Sequence, residues 1–234
     1  MEQFYNIAGL TVQMDSFGRT VTQAQPYLCA PGTADIVITS HPEELQKNQP
    51  HLSLEDCEYL STGAGFYRRL LDFDGLMLHA SAVVMDGYAY LFSAPCGTGK
   101  STHTALWQKV FGKDRAIILN DDKPALRLEN GCFYAYGTPW SGKTDRNANL
   151  RAPVAGICFL QQGKENTIVP YAGAKAVFSL LEQTLRPKGS DIRVRLLTLL
   201  DKLLQTVPVW HMTCNMEPDA PIVSHAAMWA AIQK

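Results

Sequence analysis

Hydrophobic and polar positions follow two different patterns along the chain, and the change of pattern divides it. In residues 1–62, short alternating stretches such as 4–12 and 35–39 are typical of strands, and prolines separate them. From residue 63 onwards, longer apolar strands alternate with segments of helical periodicity. The pattern predicts a small β-rich N-terminal module over residues 1–62 and a larger core with C-terminal helices over residues 63–234.

The boundary between these parts is predicted from a small-residue segment. Residues 63–65, Gly-Ala-Gly, are expected to close the module, and residues 66–71 to form a short helix. In the C-terminal half, residues 191–206 form the clearest helix, because their leucines recur on one face. These leucines are Leu196, Leu197, Leu200, Leu203 and Leu204.

A β-hairpin is predicted in the middle of the chain. The apolar runs 76–85 and 88–93 flank an Asp-Gly pair, which is a strong signal for a two-residue turn. With such a turn, His79 lies opposite Ala94 in the register. Because a hairpin pairs antiparallel strands, a mixed sheet is expected rather than the parallel sheet of repeated βαβ units.

The residues after the second arm have the spacing of a phosphate-binding loop that opens a helix. The nucleotide-binding residues predicted there are Ala94, Gly97, Thr98, Gly99, Lys100, Ser101 and Thr102. Backbone N–H groups and the positive helix end would attract phosphate oxygens. Lys100 would reach the terminal phosphates, and the Ser101 hydroxyl would ligate Mg²⁺. Ala94 stands where the motif has glycine, and a glycine-rich structural turn is the alternative.

Two carboxylates follow the next predicted buried strand, over residues 116–119. Asp121 and Asp122 would be costly there unless a cation or a proton transfer uses them. Magnesium bound to phosphate needs one carboxylate, and an acceptor hydroxyl needs a base within reach. The pair is therefore predicted to divide these roles, with a turn that caps the strand as the alternative.

A second loop rich in Gly, Ser and Lys spans residues 137–144. It is too irregular for a phosphate-binding loop of the usual spacing. Lys143 in this loop and Arg146 behind it are candidates for substrate or phosphate contacts. A purely structural loop is the other interpretation.

Composition and charge narrow the class of protein. A formal net charge of -1 gives no basis for nucleic-acid binding, and no apolar run is long enough to predict a transmembrane helix. The six cysteines form no C-x-x-C motif, as is usual for reduced thiols in the cytoplasm. The first residues lack the pattern of a secretory signal. We therefore expect a cytoplasmic protein without nucleic-acid or membrane partners.

Three of these segments together resemble the superfamily of HPr kinase/phosphorylase and ATP-dependent phosphoenolpyruvate carboxykinase. They are Leu-His-Ala-Ser-Ala at 78–82, the phosphate-loop motif at 94–102 and Asn-Asp-Asp at 120–122. The resemblance covers roughly residues 65–160. By its short length the chain looks in particular like the small kinase-like proteins associated with modified-peptide gene cassettes, whereas the His-x-Ser-Ala segment looks like the carboxykinase version. The resemblance implies an α/β fold with a mixed, partly antiparallel sheet that carries a phosphate loop.

The resemblance also implies an activity. It is an ATP-dependent transfer of the γ-phosphoryl group, with Mg²⁺ or Mn²⁺, to a Ser or Thr hydroxyl of a small protein or peptide. Asp121, Asp122, His79 and Lys100 would be catalytic, and Ser101, Asp122 and His79 would ligate metal. A nucleotide-sensing module without turnover and a small-metabolite kinase are the alternatives. The sequence leaves open whether the chain forms a homo-oligomer.

Overall fold

The N-terminal part forms a three-stranded sheet packed against helices. In this computed structural model, which describes residues 3–233, the strands are β1 (Gln3–Ile7), β2 (Leu10–Met14) and β3 (Ile36–Ile38). The helices are α1 (Gly18–Ala24), α2 (Pro42–Asn48) and α3 (Leu54–Leu70). The run 4–12, predicted as one strand, is a hairpin, because Ala8 and Gly9 both have positive φ and turn the chain. This part is thus a small sheet with three helices rather than strands alone.

Helix α3 crosses the predicted boundary between the two parts. Its cap is Ser53, whose Oγ accepts a hydrogen bond of 3.0 Å from the Asp56 N–H. The helix continues through residues 63–65, so residues 66–70, predicted as part of a separate short helix, are instead the last turns of α3, and the boundary predicted after residue 62 lies inside this helix. Gly63 is needed there for packing, since a Cβ would lie 2.9 Å from Cδ1 of Trp140. Apolar residues from both parts therefore pack together in one cluster, which includes Trp140.

The larger part is built on a nine-stranded mixed sheet. Its strands are β4 (Gly75–Met77), β5 (Ala80–Met85), β6 (Tyr88–Ser93), β7 (Ile117–Asn120), β8 (Ala125–Glu129), β9 (Cys132–Tyr136), β10 (Arg151–Gln162), β11 (Thr167–Pro170) and β12 (Val209–Cys214). The main order is β4-β8-β9-β10-β6-β5-β7, and β12 joins β10 to β11. Strand β10 runs parallel to β6 and β12 but antiparallel to β9. A mixed, partly antiparallel sheet is thus confirmed.

Helices cover both faces of this sheet. They are α4 (Lys100–Phe111), α5 (Ala174–Glu182), α6 (Ser190–Thr206) and α7 (Asp219–Ile232). Residues of α5 and α6 bury one apolar cluster, and residues of α4 and α7 bury another. On α6 the buried leucines include Leu199, whereas Leu197, predicted to be buried, is 50% exposed. Lys234, at the end of the predicted closing helix, and Met1 and Glu2 lie outside the described residues.

The predicted hairpin forms with the predicted register. Met85 pairs with Tyr88, and both turn residues, Asp86 and Gly87, have positive φ, as a type I′ turn requires. The run 76–85 is nevertheless two strands rather than one. The chain leaves the first strand before His79, whose N–H donates to the Gln183 carbonyl at 2.7 Å. Strand β4 then pairs with β8, and β5 with β6 and β7.

Candidate functional site

Three chain segments meet at one edge of the large sheet, because β5 pairs antiparallel with both β6 and β7. Ala80, at the start of β5, pairs with Ser93, the last residue of β6. Ala82 pairs with Asn120, the last residue of β7. The carboxyl ends of β6 and β7 therefore lie beside the residue that precedes β5. That residue is His79, whose carbonyl accepts a 2.8 Å hydrogen bond from the Ser93 hydroxyl.

The loop after β6, residues 94–99, leads directly into α4, and we call it the glycine loop. Gly97 and Gly99 have φ of 81° and 110°, in the left-handed region that favours glycine. The first residue of the helix is Lys100, which is only 7% exposed. Its Nζ donates to the carbonyl of Ala94 at 2.9 Å, while burial lowers the pKa of its ammonium group. The ammonium group is thus held under the loop by the loop's own backbone.

Asp121 is buried and tied to α4 through hydroxyl groups. Its Oδ2 accepts a 2.7 Å hydrogen bond from Thr144, and its Oδ1 accepts one from Ser81. The Ser81 hydroxyl also lies 2.7 Å from Oγ1 of Thr104, one turn into α4. This chain of contacts places the Asp121 carboxylate beside the first turn of the helix, which carries Ser101.

Asp122 contacts two basic side chains, those of His79 and Lys123. Its Oδ1 lies 3.2 Å from Nε2 of His79, and Oδ2 accepts a hydrogen bond from Lys123. Burial opposes ionisation, but the hydrogen bond from His79 and the charge of Lys123 outweigh it and lower the pKa of Asp122 to about 2. The side chain of Gln183 fixes the imidazole from behind, with Oε1 2.8 Å from Nδ1. Asp122 is therefore an ionised carboxylate in a fixed orientation.

These groups line one cleft of about 650 Å³. Its loop wall consists of Cys96, Gly97, Gly99, Lys100, Ser101 and Thr102, and its base of His79, Asp121, Asp122 and Lys123. Its far wall consists of Arg19, Leu52, Asp56, Tyr59, Leu60, Ser141, Gly142, Lys143 and Thr144. The structure thus brings the predicted His, Lys, Ser and Asp residues together with Lys143.

Three predicted site residues lie elsewhere. The Ala94 side chain is buried in the core against α4, so only its backbone faces Lys100. Thr98 lines a second cavity on the other side of the glycine loop. Arg146 does not line the cleft either, because its guanidinium donates to Gln108 of α4. Its backbone carbonyl instead accepts from the Asp121 N–H at 3.1 Å, so Arg146 supports the aspartate loop rather than the cleft.

The far wall contains residues that sequence reasoning missed. The Arg19 guanidinium lies 4.3 Å from the centre of the Tyr59 ring, and its Nε donates to Asp145 at 2.9 Å. The Tyr59 hydroxyl accepts a 3.2 Å hydrogen bond from the Gly142 N–H. No local motif marks these residues, since the hydrogen-bonded partners are 126 and 83 positions apart in the chain.

Further contacts attach the N-terminal part to the segment after the far wall. Asn147 accepts a hydrogen bond of 2.9 Å from the Tyr27 hydroxyl and donates one of 2.8 Å to Gln23. Asn149 donates to the Pro26 carbonyl at 2.9 Å. The N-terminal part, to which the sequence assigned no site residue, therefore holds the loop that carries Lys143 and Thr144.

The second cavity has a volume of about 400 Å³ and lies against the outer side of the glycine loop. Thr98, Thr102 and Leu106 line it from the loop and α4, and Gln162 and Asn215 from the ends of β10 and β12. The Gln162 side chain donates to the Thr98 carbonyl at 3.2 Å. The glycine loop thus separates two cavities of different lining.

Metal-ligating groups in the cleft are few. Between residues 3 and 233, no cluster of three or more His, Cys, Asp or Glu side chains is arranged to hold a metal ion. One carboxylate and one hydroxyl suffice for Mg²⁺ when phosphate oxygens and water complete its shell. Over the same residues, no helix combines the length and apolarity that crossing a bilayer requires.

Comparisons with known proteins match part of the chain. The sequence model of a family described as "SynChlorMet cassette protein ScmC" matches residues 55–218. No curated protein matches the sequence. Among solved structures, the Hpr(Ser) kinase/phosphatase from Coxiella burnetii is similar at 11% identity and a TM-score of 0.39, over 67% of this chain and 97% of that chain.

Proposed function

The chain belongs to the family of the SynChlorMet cassette protein ScmC, and we propose that it is an ATP- and Mg²⁺-dependent phosphotransferase that phosphorylates a hydroxyl group. The acceptor is a Ser or Thr side chain of a small protein or peptide. The observation that carries the proposal is the cleft in which Lys100 and Ser101 face Asp121, Asp122 and His79. The three sequence segments that carry these residues also support a distant relation to the HPr kinases.

The glycine loop and α4 are proposed to bind the nucleotide. Backbone N–H groups of Gly97 and Gly99 and the N-terminus of the helix favour phosphate oxygens. Lys100 would exchange its bonds to the loop carbonyls for the terminal phosphates, where a positive charge opposes developing negative charge. The second cavity, beyond the loop, has room for the nucleoside.

Asp121 and Ser101 are proposed to hold Mg²⁺ or Mn²⁺. The support is the contact chain from the Asp121 carboxylate through Ser81 to Thr104, which places that carboxylate next to the start of α4. When bound, the ion neutralises charge on the phosphate oxygens. His79 and Asp122, also predicted as ligands, contact each other, and this favours another role for them.

Asp122 is proposed as the base. In the transfer, the acceptor oxygen bonds to the γ-phosphorus, the bond from that phosphorus to the β-γ bridging oxygen breaks, and ADP leaves. The hydroxyl proton passes to the Asp122 carboxylate. With a pKa of about 2, this group is ionised at neutral pH and can accept a hydrogen bond from the hydroxyl throughout. In a loose transition state the proton leaves the acceptor hydroxyl late. The orientation that His79 and Lys123 give to the Asp122 carboxylate therefore matters more than the basicity of that carboxylate.

The test is transfer of labelled phosphate. Purified protein is incubated with Mg²⁺, γ-labelled ATP and the peptides and proteins encoded beside its gene. We expect one of them to acquire a phosphoester on Ser or Thr. Tight ATP binding by calorimetry, with no ATP consumed over hours in the presence of all these acceptors, would instead identify a sensing module.

A further inference from the structure

A small apolar recess opens beside the cleft, on the side away from the glycine loop. Its volume is about 210 Å³. Tyr67, Trp140, Met77 and Leu185 line it, and Ala64 of α3 contributes one of its smallest side chains. Three further residues, Tyr59, Leu60 and Lys123, line both the recess and the cleft, so the two spaces adjoin.

The walls of the recess are held by packing and hydrogen bonds. Trp140 is 1% exposed, stacks on Phe66 with ring centres 5.1 Å apart, and donates to the Thr62 hydroxyl at 3.2 Å. The Tyr67 hydroxyl lies 2.8 Å from Oγ1 of Thr138 and donates to the Lys123 carbonyl. A pocket with such walls is preformed, which lowers the ordering cost of binding.

The recess is next to the carboxylate proposed as the base. Lys123, which lines the recess, donates from its ammonium group to the adjacent Asp122. At the shared rim, Leu60 is a large apolar side chain that is 43% exposed. A chemical group seated in the recess would therefore have its neighbouring atoms beside Asp122.

We propose that the recess binds the apolar side chain of a residue that neighbours the phosphorylated Ser or Thr in a peptide acceptor. This inference rests on the proposed function and specifies its substrate class. The recess is smaller than the roughly 300 Å³ of the smallest usual small-molecule sites, and so it fits one side chain rather than a whole metabolite. The remainder of the peptide lies in the cleft, along the far wall.

The experiment uses five-residue peptides with a central serine flanked by leucine, phenylalanine or glycine. Phosphate transfer from Mg²⁺-ATP is measured, and peptide binding is measured by calorimetry with a non-hydrolysable ATP analogue. With the wild-type chain, leucine- or phenylalanine-flanked peptides should bind and react about tenfold better than glycine-flanked ones, as burial of one apolar side chain predicts.

Ala64→Leu should fill the recess and abolish this preference, while the affinity for ATP stays unchanged. Arg68→Leu is the matched control, because Arg68 is exposed one turn later on the same helix and outside the recess. Leu60→Ser, at a rim position that is 43% exposed, should reduce the preference about threefold by removing part of the apolar contact.

The outcomes separate the two proposals. Equal binding of all peptides, no binding of any, or a preference that survives Ala64→Leu would overturn the recess as an acceptor site. A preference in binding without any phosphoester would support the recess and overturn phosphotransfer. Phosphate transfer without a preference among the peptides would support phosphotransfer and overturn the recess as an acceptor site.

Discussion

The two walls of the cleft differ in how the chain builds them. The loop wall comes from one continuous segment, residues 96–102, whose strand, glycines and helix start adjoin in sequence. The far wall combines Arg19 and Tyr59 from the N-terminal part with residues 141–144. Its hydrogen bonds join residues as far apart as Arg19 and Asp145. A local motif can therefore predict the first wall, and only long-range packing forms the second.

We infer from this difference that the loop wall binds the nucleotide and the far wall binds the acceptor. The loop wall has the backbone N–H groups and the lysine that suit phosphate, a ligand common to many proteins. The far wall has the exposed side chains of Leu60 and Lys143 and adjoins the apolar recess, and these features suit a particular acceptor. Changes in the loop wall should then stop the reaction, whereas changes in the far wall should alter acceptor use.

The largest effect is expected from Lys100→Ala. Loss of the charge that stabilises the transferring phosphoryl group should lower phosphate transfer about 10³-fold. Lys109→Ala, at an exposed position near the end of the same helix, is the control and should leave the rate unchanged. If both variants transfer labelled phosphate at the wild-type rate, the assignment of the loop wall to nucleotide is wrong.

The aspartates at the base of the cleft should separate into two phenotypes. Asp122→Asn should lower turnover roughly 10²-fold with ATP affinity retained, since a hydroxyl loses its proton acceptor. Asp121→Asn should chiefly raise the Mg²⁺ concentration needed for half-maximal rate. Asp114→Asn, at an exposed turn, is the control. Reversed phenotypes in a magnesium titration would exchange the two roles.

A smaller effect is expected from the far wall. Arg19→Ala removes the stacking on Tyr59 and the bonds to Asp145, and it should loosen the loop that carries Lys143. We expect about a tenfold rise in KM for the peptide acceptor, with little change for ATP. Arg115→Ala is the matched control, because Arg115 makes a similar ion pair with Asp86 in a distant hairpin. A larger change in ATP affinity than in acceptor KM would contradict the division between the walls.

The last prediction concerns stability rather than activity, at the contact between α1 and α3. Glu58 is buried and accepts a hydrogen bond from Thr20; burial raises its pKa from 4.5 to about 7, and the charge of Glu55 adds to this. The folded state then binds more protons than the unfolded state between these two values. The stability that the protonated group contributes is complete below pH 4.5 and is lost as the pH rises to about 7.

Glu58→Gln should remove this pH dependence, which amounts to about 3 kcal/mol of unfolding free energy for such a shift. Denaturant unfolding at pH 5 and pH 8 measures it in the wild-type chain and in the variant. Glu55→Gln, exposed on the same helix, should retain most of the wild-type slope. A wild-type stability that is flat or rises between these pH values would exclude a neutral buried Glu58.

Short sequence patterns predicted much of the secondary structure in the larger part of the chain. The Asp86-Gly87 turn, the register of its hairpin and the helix after Gly99 follow from two- to twelve-residue patterns, and the structure has them. Patterns failed where tertiary contacts interrupt an element. Residues 63–65 were predicted to end the N-terminal module, but they continue α3, since small side chains are needed there against Trp140. The strand predicted over 76–85 breaks at His79 because Gln183 takes its backbone N–H.

By itself, the sequence determined the glycine loop, the mixed sheet and the presence of His79, Lys100 and the aspartate pair, because backbone conformation and side-chain alternation depend on neighbouring residues. Only the tertiary structure decided what faces those groups. It turned Arg146 away from the cleft, brought Arg19 and Tyr59 to it, and opened a recess beside Asp122. These placements depend on packing between distant segments, which no local pattern encodes.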